Sequence, residues 1–316
     1  MNHLVILAPN WLGDAVMALP AIADVRRHSP HAAVTVAAKA AIAPLFQIVS
    51  DVDDVIDPSR LDDRFDTALL LPNSFRSAMR AMTARIPERW GYAAEWRALL
   101  LTRAVGRPRG VHQSEYYQYL VHALGFPNGP PEPALAIPSA VRDSGTLALR
   151  EAGWDGTSPI VALAPGAAYG GAKRWPPEYF AELTRMFADD GIGSVLIGSP
   201  ADAATAREVT RAIASPVLSL VGRTDLPTLA GVLASCRALV SNDSGAMHLA
   251  AAIGTPVVAV FGPTDDRATS PRGERHRVLT NPVWCRPCML RECPLDHRCM
   301  RGVLPQEVAA AARTIA

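Results

Sequence analysis

The sequence predicts an α/β protein of two domains, each a parallel sheet covered by helices. Three observations carry this. Short apolar runs (Leu4 to Ala8, Ala33 to Ala38, Asp66 to Leu71, Ile160 to Ala164, Ser194 to Ile197, Val257 to Phe261) alternate with stretches of helical apolar spacing. The alternation begins near residue 4 and restarts near residue 160, after a proline-rich, aperiodic segment from Phe126 to Ser139. The 316 residues are about twice an ordinary domain of roughly 150. The expected division is 1–150 and 151–303, followed by a closing segment, 304–316.

Composition narrows the function classes. Hydrophobic residues make up 49%, enough for ordinary globular cores, and a net charge of +1 gives no sign of a nucleic-acid partner. The first twenty residues lack a basic leader, and Asp14 interrupts their apolar stretch, so no signal peptide is expected. No apolar run approaches the roughly 18 residues that cross a bilayer. The expectation is a cytoplasmic protein whose five cysteines do not form structural disulfides.

The first strand, Leu4 to Ala8, runs into the turn Pro9-Asn10-Trp11-Leu12-Gly13-Asp14 and a helix from about Ala15 to His28. The dinucleotide fingerprint G-x-G-x-x-G is absent. Gly13 lets the backbone pass close to a ligand. Asp14 reads either as a helix-start carboxylate or as a chemical group at the sheet edge. The strand Asp66 to Leu71 ends in Pro72-Asn73-Ser74-Phe75-Arg76. Then Arg76, Arg80, Arg85, Arg89, Arg97, Arg103, Arg107 and Arg109 are opposed only by Glu88 and Glu95, which reads as a solvated face or as a surface for an anionic partner. Trp90, Tyr92, Trp96, Tyr116, Tyr117 and Tyr119 are expected to add aromatic surface that suits a sugar or a membrane-surface acceptor.

A helix from Ala140 to Ala152 precedes the second series. The strand Ile160 to Ala164 leads into a glycine-rich loop, Gly166 to Lys173, then Arg174 and a helix from Pro177 to Asp189. Ser194 to Ile197, the helix Ala203 to Ala214, Val217 to Leu220 and the helix Leu226 to Ser235 follow. Next comes the stretch on which the whole reading turns. An apolar strand ends in Asn242-Asp243-Ser244-Gly245, a helix runs from Ala246 to Ile253, and Gly254-Thr255-Pro256 break it before Val257 to Phe261. The start of that helix offers free N–H groups and partial positive charge, with Asp243 or Ser244 as its cap and His248 close by. A diphosphate would lie between this helix start and the Gly166–Lys173 loop. Walker A is absent, so ordinary P-loop phosphoryl transfer is not supported.

Four stretches in order, NWLGD at 10–14, LPNSFRS at 71–77, PGA through AKRWP at 165–176 and NDSG through MH at 242–248, resemble the ADP-heptose:lipopolysaccharide heptosyltransferases, glycosyltransferase family 9. LPNSFRSA and PGAAYGGAKRWP most resemble the members that add the second inner-core heptose. The resemblance implies a GT-B fold, two Rossmann-like domains facing across a cleft, with the acceptor on the first, ADP-heptose on the second, and a terminal helix returning to the first. It implies an inverting reaction that requires no cofactor, with Asp14 as base and Lys173 at the leaving diphosphate. Donor contacts would come from Gly166, Ala167, Lys173, Arg174, Asp243, Ser244, Gly245, Met247 and His248. Acceptor contacts would come from Gly13, Asn73, Ser74 and Arg76. The implied acceptor is a lipid-linked, anionic Kdo-heptose core at the inner face of the inner membrane. Another family 9 sugar or acceptor, and a nucleotide-sugar epimerase of the same architecture, remain as alternatives.

One segment departs from that pattern. WCRPCMLRECPLDHRCM, at 284–300, gathers Cys285, Cys288, Cys293 and Cys299, a spacing that suits a small structural zinc site, with Asp296 and His297 as further candidates. Reduced thiols, a disulfide and an iron–sulfur site are the alternatives. Cys236 reads as a core residue.

Overall fold

The computed structural model describes residues 1–213 and 217–315. It divides into two compact units, 1–136 and 137–316. The first carries β1 (His3–Leu7), β2 (Ala33–Ala37), β3 (Asp54–Ile56), β4 (Thr67–Leu70), β5 (Glu88–Tyr92) and β6 (Arg103–Val105). The second carries β7 (Ile160–Ala164), β8 (Gly193–Leu196), β9 (Leu218–Ser219), β10 (Ala238–Asn242), β11 (Val257–Phe261) and β12 (His276–Thr280). Every pairing is parallel. The orders are β3-β2-β1-β4-β5-β6 and β12-β11-β10-β7-β8-β9, the same doubly wound path laid down twice. The expected class, α/β with two Rossmann-like parallel sheets, is the one observed.

Because helices cover both faces, the central strands are apolar throughout. Val5, Ile6, Leu163, Val240 and Val258 are all fully buried. In such a sheet the chain leaves the two central strands in opposite directions, opening a crevice at their carboxyl ends. That crevice lies between β1 and β4 in the first unit and between β7 and β10 in the second. Asp14 and Asn73 follow the first pair; Gly166 and Asp243 follow the second.

The structure refines several element boundaries. The helix expected from Ala15 to His28 is two, Leu12–Met17 and Leu19–His28, the second restarting with Pro20 in its first turn, where a missing N–H costs nothing. The helix expected over Ala203 to Ala214 is described over Ala203–Ala212, and its expected last residue lies outside the described residues. The helix Ser139–Glu151 belongs to the second unit, which moves the division from 150 to 136. It lies backbone-to-backbone on the helix Leu226–Ser235, with Gly145 against Gly231 and a Cβ on Gly231 overlapping the Val141 carbonyl. The closing helix, Pro305–Ile315, packs Val308, Ala309 and Ala312 into the second unit's core with Val258, Val260 and Val303. The family resemblance sends this segment to the first domain; its buried face lies against the second unit's sheet.

The glycine contact makes a stability prediction. Gly231→Ala forces the two helices apart and lowers stability by about 1–3 kcal/mol. Gly106→Ala, where an added Cβ meets nothing within 4 Å, serves as the silent control. Thermal melts of both variants provide the measurement.

Candidate active site

In the first unit the chain leaves β1 and enters the helix Leu12–Met17, whose only first-turn acid is Asp14. Beneath Asp14 lies the helix Gln113–Ala123, which presents Tyr117. Burial, and then the neighbouring Asp14 charge, push the Tyr117 phenol well above its ordinary range, and its hydroxyl is hydrogen-bonded to the Asp14 and Gln113 side chains. A phenol that stays protonated donates to Asp14 and orients the carboxylate. Tyr117, expected on the surface, is only 4% exposed; Tyr92 and Trp90 are buried as well, because they face the core from β5 and the same helix.

After β4, Ser74 caps the helix Phe75–Thr83 through its hydroxyl, which accepts from the Ser77 N–H at 3.3 Å. Asn73 donates to the Tyr116 hydroxyl at 2.8 Å, while its buried Oδ1 has no partner among the described residues. The turn is held from below by Arg97. This guanidinium is fully buried and donates to the carbonyls of Pro72, Ser74 and Leu70 and to the Ser77 hydroxyl. A side chain at Gly91 would occupy the space that Arg97 fills. Arg89 is likewise spent on backbone carbonyls, of Leu100 and Ile86, at 2.7 Å each. Arg76 is exposed in the first turn of the helix Phe75–Thr83.

The second unit's crevice is more tightly built. Asn242, at the end of β10, donates to the Pro165 carbonyl at 2.8 Å and the Gly166 carbonyl at 3.2 Å, and accepts from the Trp175 N–H at 3.0 Å. Both ends of the glycine-rich loop are thus tied to one amide. Asp243 accepts from Lys173 Nζ at 2.5 Å and from the Thr264 hydroxyl at 2.7 Å. The Lys173 ammonium also stands 4.8 Å from the centre of the Tyr169 ring. Ser244 is the N-cap residue of the helix Gly245–Ala252, but its side chain makes no cap bond; its hydroxyl lies 2.8 Å from that of Ser241. The first-turn N–H groups of Gly245, Ala246 and Met247 therefore receive no side-chain cap at the helix start, beside Lys173's partner Asp243.

Gly166, Ala167, Lys173, Asp243, Ser244 and Gly245 thus come together at one sheet edge. Met247 is fully buried, so only its backbone is available to a ligand, and His248 is buried at 5% exposure. Arg174 parts from Lys173: it is exposed and lines a separate hollow of about 190 Å³ with Glu208, His297 and Arg301.

The cysteine-bearing segment braces the same loop. Tyr169 donates to the Met289 carbonyl at 2.8 Å, Ala172 N–H to the Arg291 carbonyl at 2.9 Å, and Gly171 N–H to Glu292 at 3.0 Å. Cys285, Cys288, Cys293 and Cys299 share one neighbourhood: burial first, and then the charges of Cys285, Cys293 and Cys288, push the Cys299 thiol up. Yet among the described residues no three His, Cys, Asp or Glu side chains converge closely enough to hold a metal ion. Asp296 is engaged by Arg298 at 2.9 Å. Cys236 is a buried core thiol, pushed up to about 12 by burial.

The family model for glycosyltransferase family 9 (heptosyltransferase) matches residues 59–298. The chain belongs to glycosyltransferase family 9. It is a glycosyltransferase, and its two Rossmann-like units are of the GT-B class. Lipopolysaccharide heptosyltransferase 2 of Salmonella typhimurium is 31% identical over 303 residues, covering 87% of each chain. The Escherichia coli K12 protein of the same name is 30% identical over the same length and coverage. The solved structure of E. coli ADP-heptose lps heptosyltransferase II is 29% identical, with a TM-score of 0.88, covering 100% of this chain and 98% of that one. Among the described residues of this family 9 chain, no helix is long and apolar enough to cross a membrane.

Sequence reasoning missed Tyr117, Arg97, Asn242 and Thr264 as parts of the site. Asn242 alone carried a signal, an amide closing a fully buried strand whose other polar residue is Ser241.

The Lys173–Asp243 pair, 12% and 8% exposed, supports a prediction about stability. Lys173→Met leaves Asp243 as an uncompensated buried charge and costs about 3–5 kcal/mol. Adding Asp243→Asn recovers most of that loss, because the charge is gone. Denaturant titrations of the single and double variants read the difference.

Proposed function

We propose that this enzyme transfers heptose from ADP-heptose to the heptose of a heptose–Kdo lipopolysaccharide inner core, adding the second heptose with inversion and without a catalytic metal. The observation that carries the reading is the helix start at Gly245, without a side-chain cap, beside Lys173, joined by Asn242 to the glycine-rich loop. Such a corner suits a diphosphate, and the relatives' names supply the sugar and the acceptor.

In this reading the ADP diphosphate lies along the N–H groups of Gly245 and Ala246. Lys173 turns from Asp243 toward the phosphates, and the Gly166–Ala167 backbone borders them, with the Asp202 carboxylate filling the space beside Gly166. Asp243, Ser244 and His248 orient donor hydroxyls or phosphates; Arg174, expected with them, lines the separate hollow. On the acceptor side, Gly13 gives clearance at Asp14. The unpartnered Oδ1 of Asn73 accepts from a sugar hydroxyl, Ser74 lies beside it, and Arg76 meets an acceptor carboxylate or phosphate. Asp14, oriented by Tyr117, takes the proton of the attacking hydroxyl. The hydroxyl oxygen bonds to the anomeric carbon from the face opposite ADP while the bond to the phosphate oxygen breaks. The charge that develops on ADP is met by Lys173 and the helix N–H groups, which gives them more to do in the transition state than in the ground state. The lipid-linked acceptor assigns the work to the inner face of the cytoplasmic membrane. Cys285, Cys288, Cys293 and Cys299 are assigned to a structural zinc on the strength of their spacing.

Incubation with ADP-heptose and a defined one-heptose acceptor, read by mass spectrometry, tests the reaction: one added heptose is expected, and none contradicts it. Asp14→Asn is expected to reduce kcat by about 100-fold or more while ADP affinity holds. Near-normal turnover would leave Asp14 as a helix-start residue. Elemental analysis tests the cysteines. About one metal per chain, with chelation lowering the melting temperature, is expected; metal-free protein of unchanged stability would leave them as thiols.

A further inference from the structure

The short 3-10 helix Glu95–Leu100 holds two large apolar side chains out in solvent, Trp96 and Leu99, each 84% exposed. In a 3-10 helix, residues three apart lie one above the other, so this pair forms a single apolar ridge. The ridge is not a frayed loop. Arg97, between the two, points the other way and is fully buried, pinning the helix to the carbonyls of Leu70, Pro72 and Ser74. The helix Phe75–Thr83 packs beside it and adds Phe75 and Met82, 40% and 38% exposed.

Around the ridge arginines outnumber the acids Glu88 and Glu95. Arg76 and Arg80 lie on the exposed arc of the helix Phe75–Thr83, and Arg103 and Arg107 follow the ridge in the chain. Arg80 acts on Asp57 and Arg103 on Glu88 through charge alone, and Arg103 lies 5.0 Å over the Trp90 ring. The nearby acid Glu88 accepts from the Trp90 indole N–H at 2.8 Å and the Thr102 hydroxyl at 2.9 Å, and the charges of Arg103 and Arg89 lower its pKa further. An exposed apolar aromatic ridge with an excess of arginine beside it is complementary to one kind of partner, a bilayer surface with anionic headgroups: the ridge enters the headgroup boundary while the arginines meet phosphates.

We infer that the Trp96–Leu99 ridge with its flanking arginines docks the first unit on an anionic lipid surface. This rests on the proposed function only for its purpose, bringing the site to a lipid-linked acceptor; the docking itself is independent of catalysis.

The test is co-sedimentation of the full-length protein with vesicles of phosphatidylcholine, alone or mixed with phosphatidylglycerol, and no substrate. The protein is expected to sediment with the mixed vesicles, less with phosphatidylcholine alone, and less at high salt. Trp96→Ala/Leu99→Ala is expected to lower the vesicle-bound fraction constant by about 10-fold or more. Its melting temperature, and its turnover of a deacylated, water-soluble acceptor, are expected to stay unchanged. Equal sedimentation of variant and parent overturns the inference, as does a parent that ignores anionic vesicles. Loss of soluble-acceptor turnover by a well-folded variant also overturns it, since the ridge would then belong to the sugar site. So does light scattering that finds a dimer broken by the variant without vesicle binding. A parent that transfers no heptose but loses vesicle binding through the variant defeats the proposed reaction and leaves the docking surface standing.

Discussion

The second unit's site depends on one buried amide. Asn242 closes β10 with no exposure and spends its side chain on three backbone groups, the carbonyls of Pro165 and Gly166 and the N–H of Trp175. A buried amide left unmatched costs about 1–3 kcal/mol, so the glycine-rich loop is held at both ends by a penalty for leaving. Trp175, once placed, fills the core and donates its indole N–H to the Val303 carbonyl at 2.9 Å, which ties the loop to the segment before the closing helix. Asp243, the next residue, can then hold Lys173 and Thr264 together.

The first unit solves the same problem with a cation. There the turn after β4 carries Asn73 and Ser74, and the buried Arg97 gathers its carbonyls. In both units the doubly wound sheet supplies a crevice, and a buried polar side chain then sets the loop that lines it. An amide suffices where both donors and acceptors must be met. A guanidinium, all donor, suits a turn that offers it acceptors, three carbonyls and the Ser77 hydroxyl.

Much of this was legible in the sequence because the central strands are buried on both faces. Runs such as LVIL and VVAVF announce themselves, and the loops at their ends follow by position. Edge strands were not legible: DVI in β3, RAV in β6 and HRVLT in β12 are short or carry charge on the side that faces water, and lack the apolar run of a central strand. Tyr117 and Arg97 were misread as surface for a related reason. Residue type predicts average burial, but only the packing of Gln113–Ala123 on the first helix turns a phenol toward Asp14, and only the gap at Gly91 admits a guanidinium. The cysteine spacing named a metal chemistry; that the segment also braces Tyr169 to Ala172 depends on contacts about 120 residues apart, as the 120-residue separation of the Tyr169–Met289 bond illustrates.

The central claim is that Asn242 preorganises the corner that takes the donor diphosphate. Its most direct test is ADP binding to Asn242→Asp by isothermal titration calorimetry, with circular dichroism verifying the fold. The replacement is nearly isosteric and keeps an oxygen for the Trp175 N–H, but loses both donations to the loop and adds a negative charge beside it. ADP affinity weakened by about 10-fold or more in a folded protein is the predicted result; unchanged ADP affinity would contradict the account.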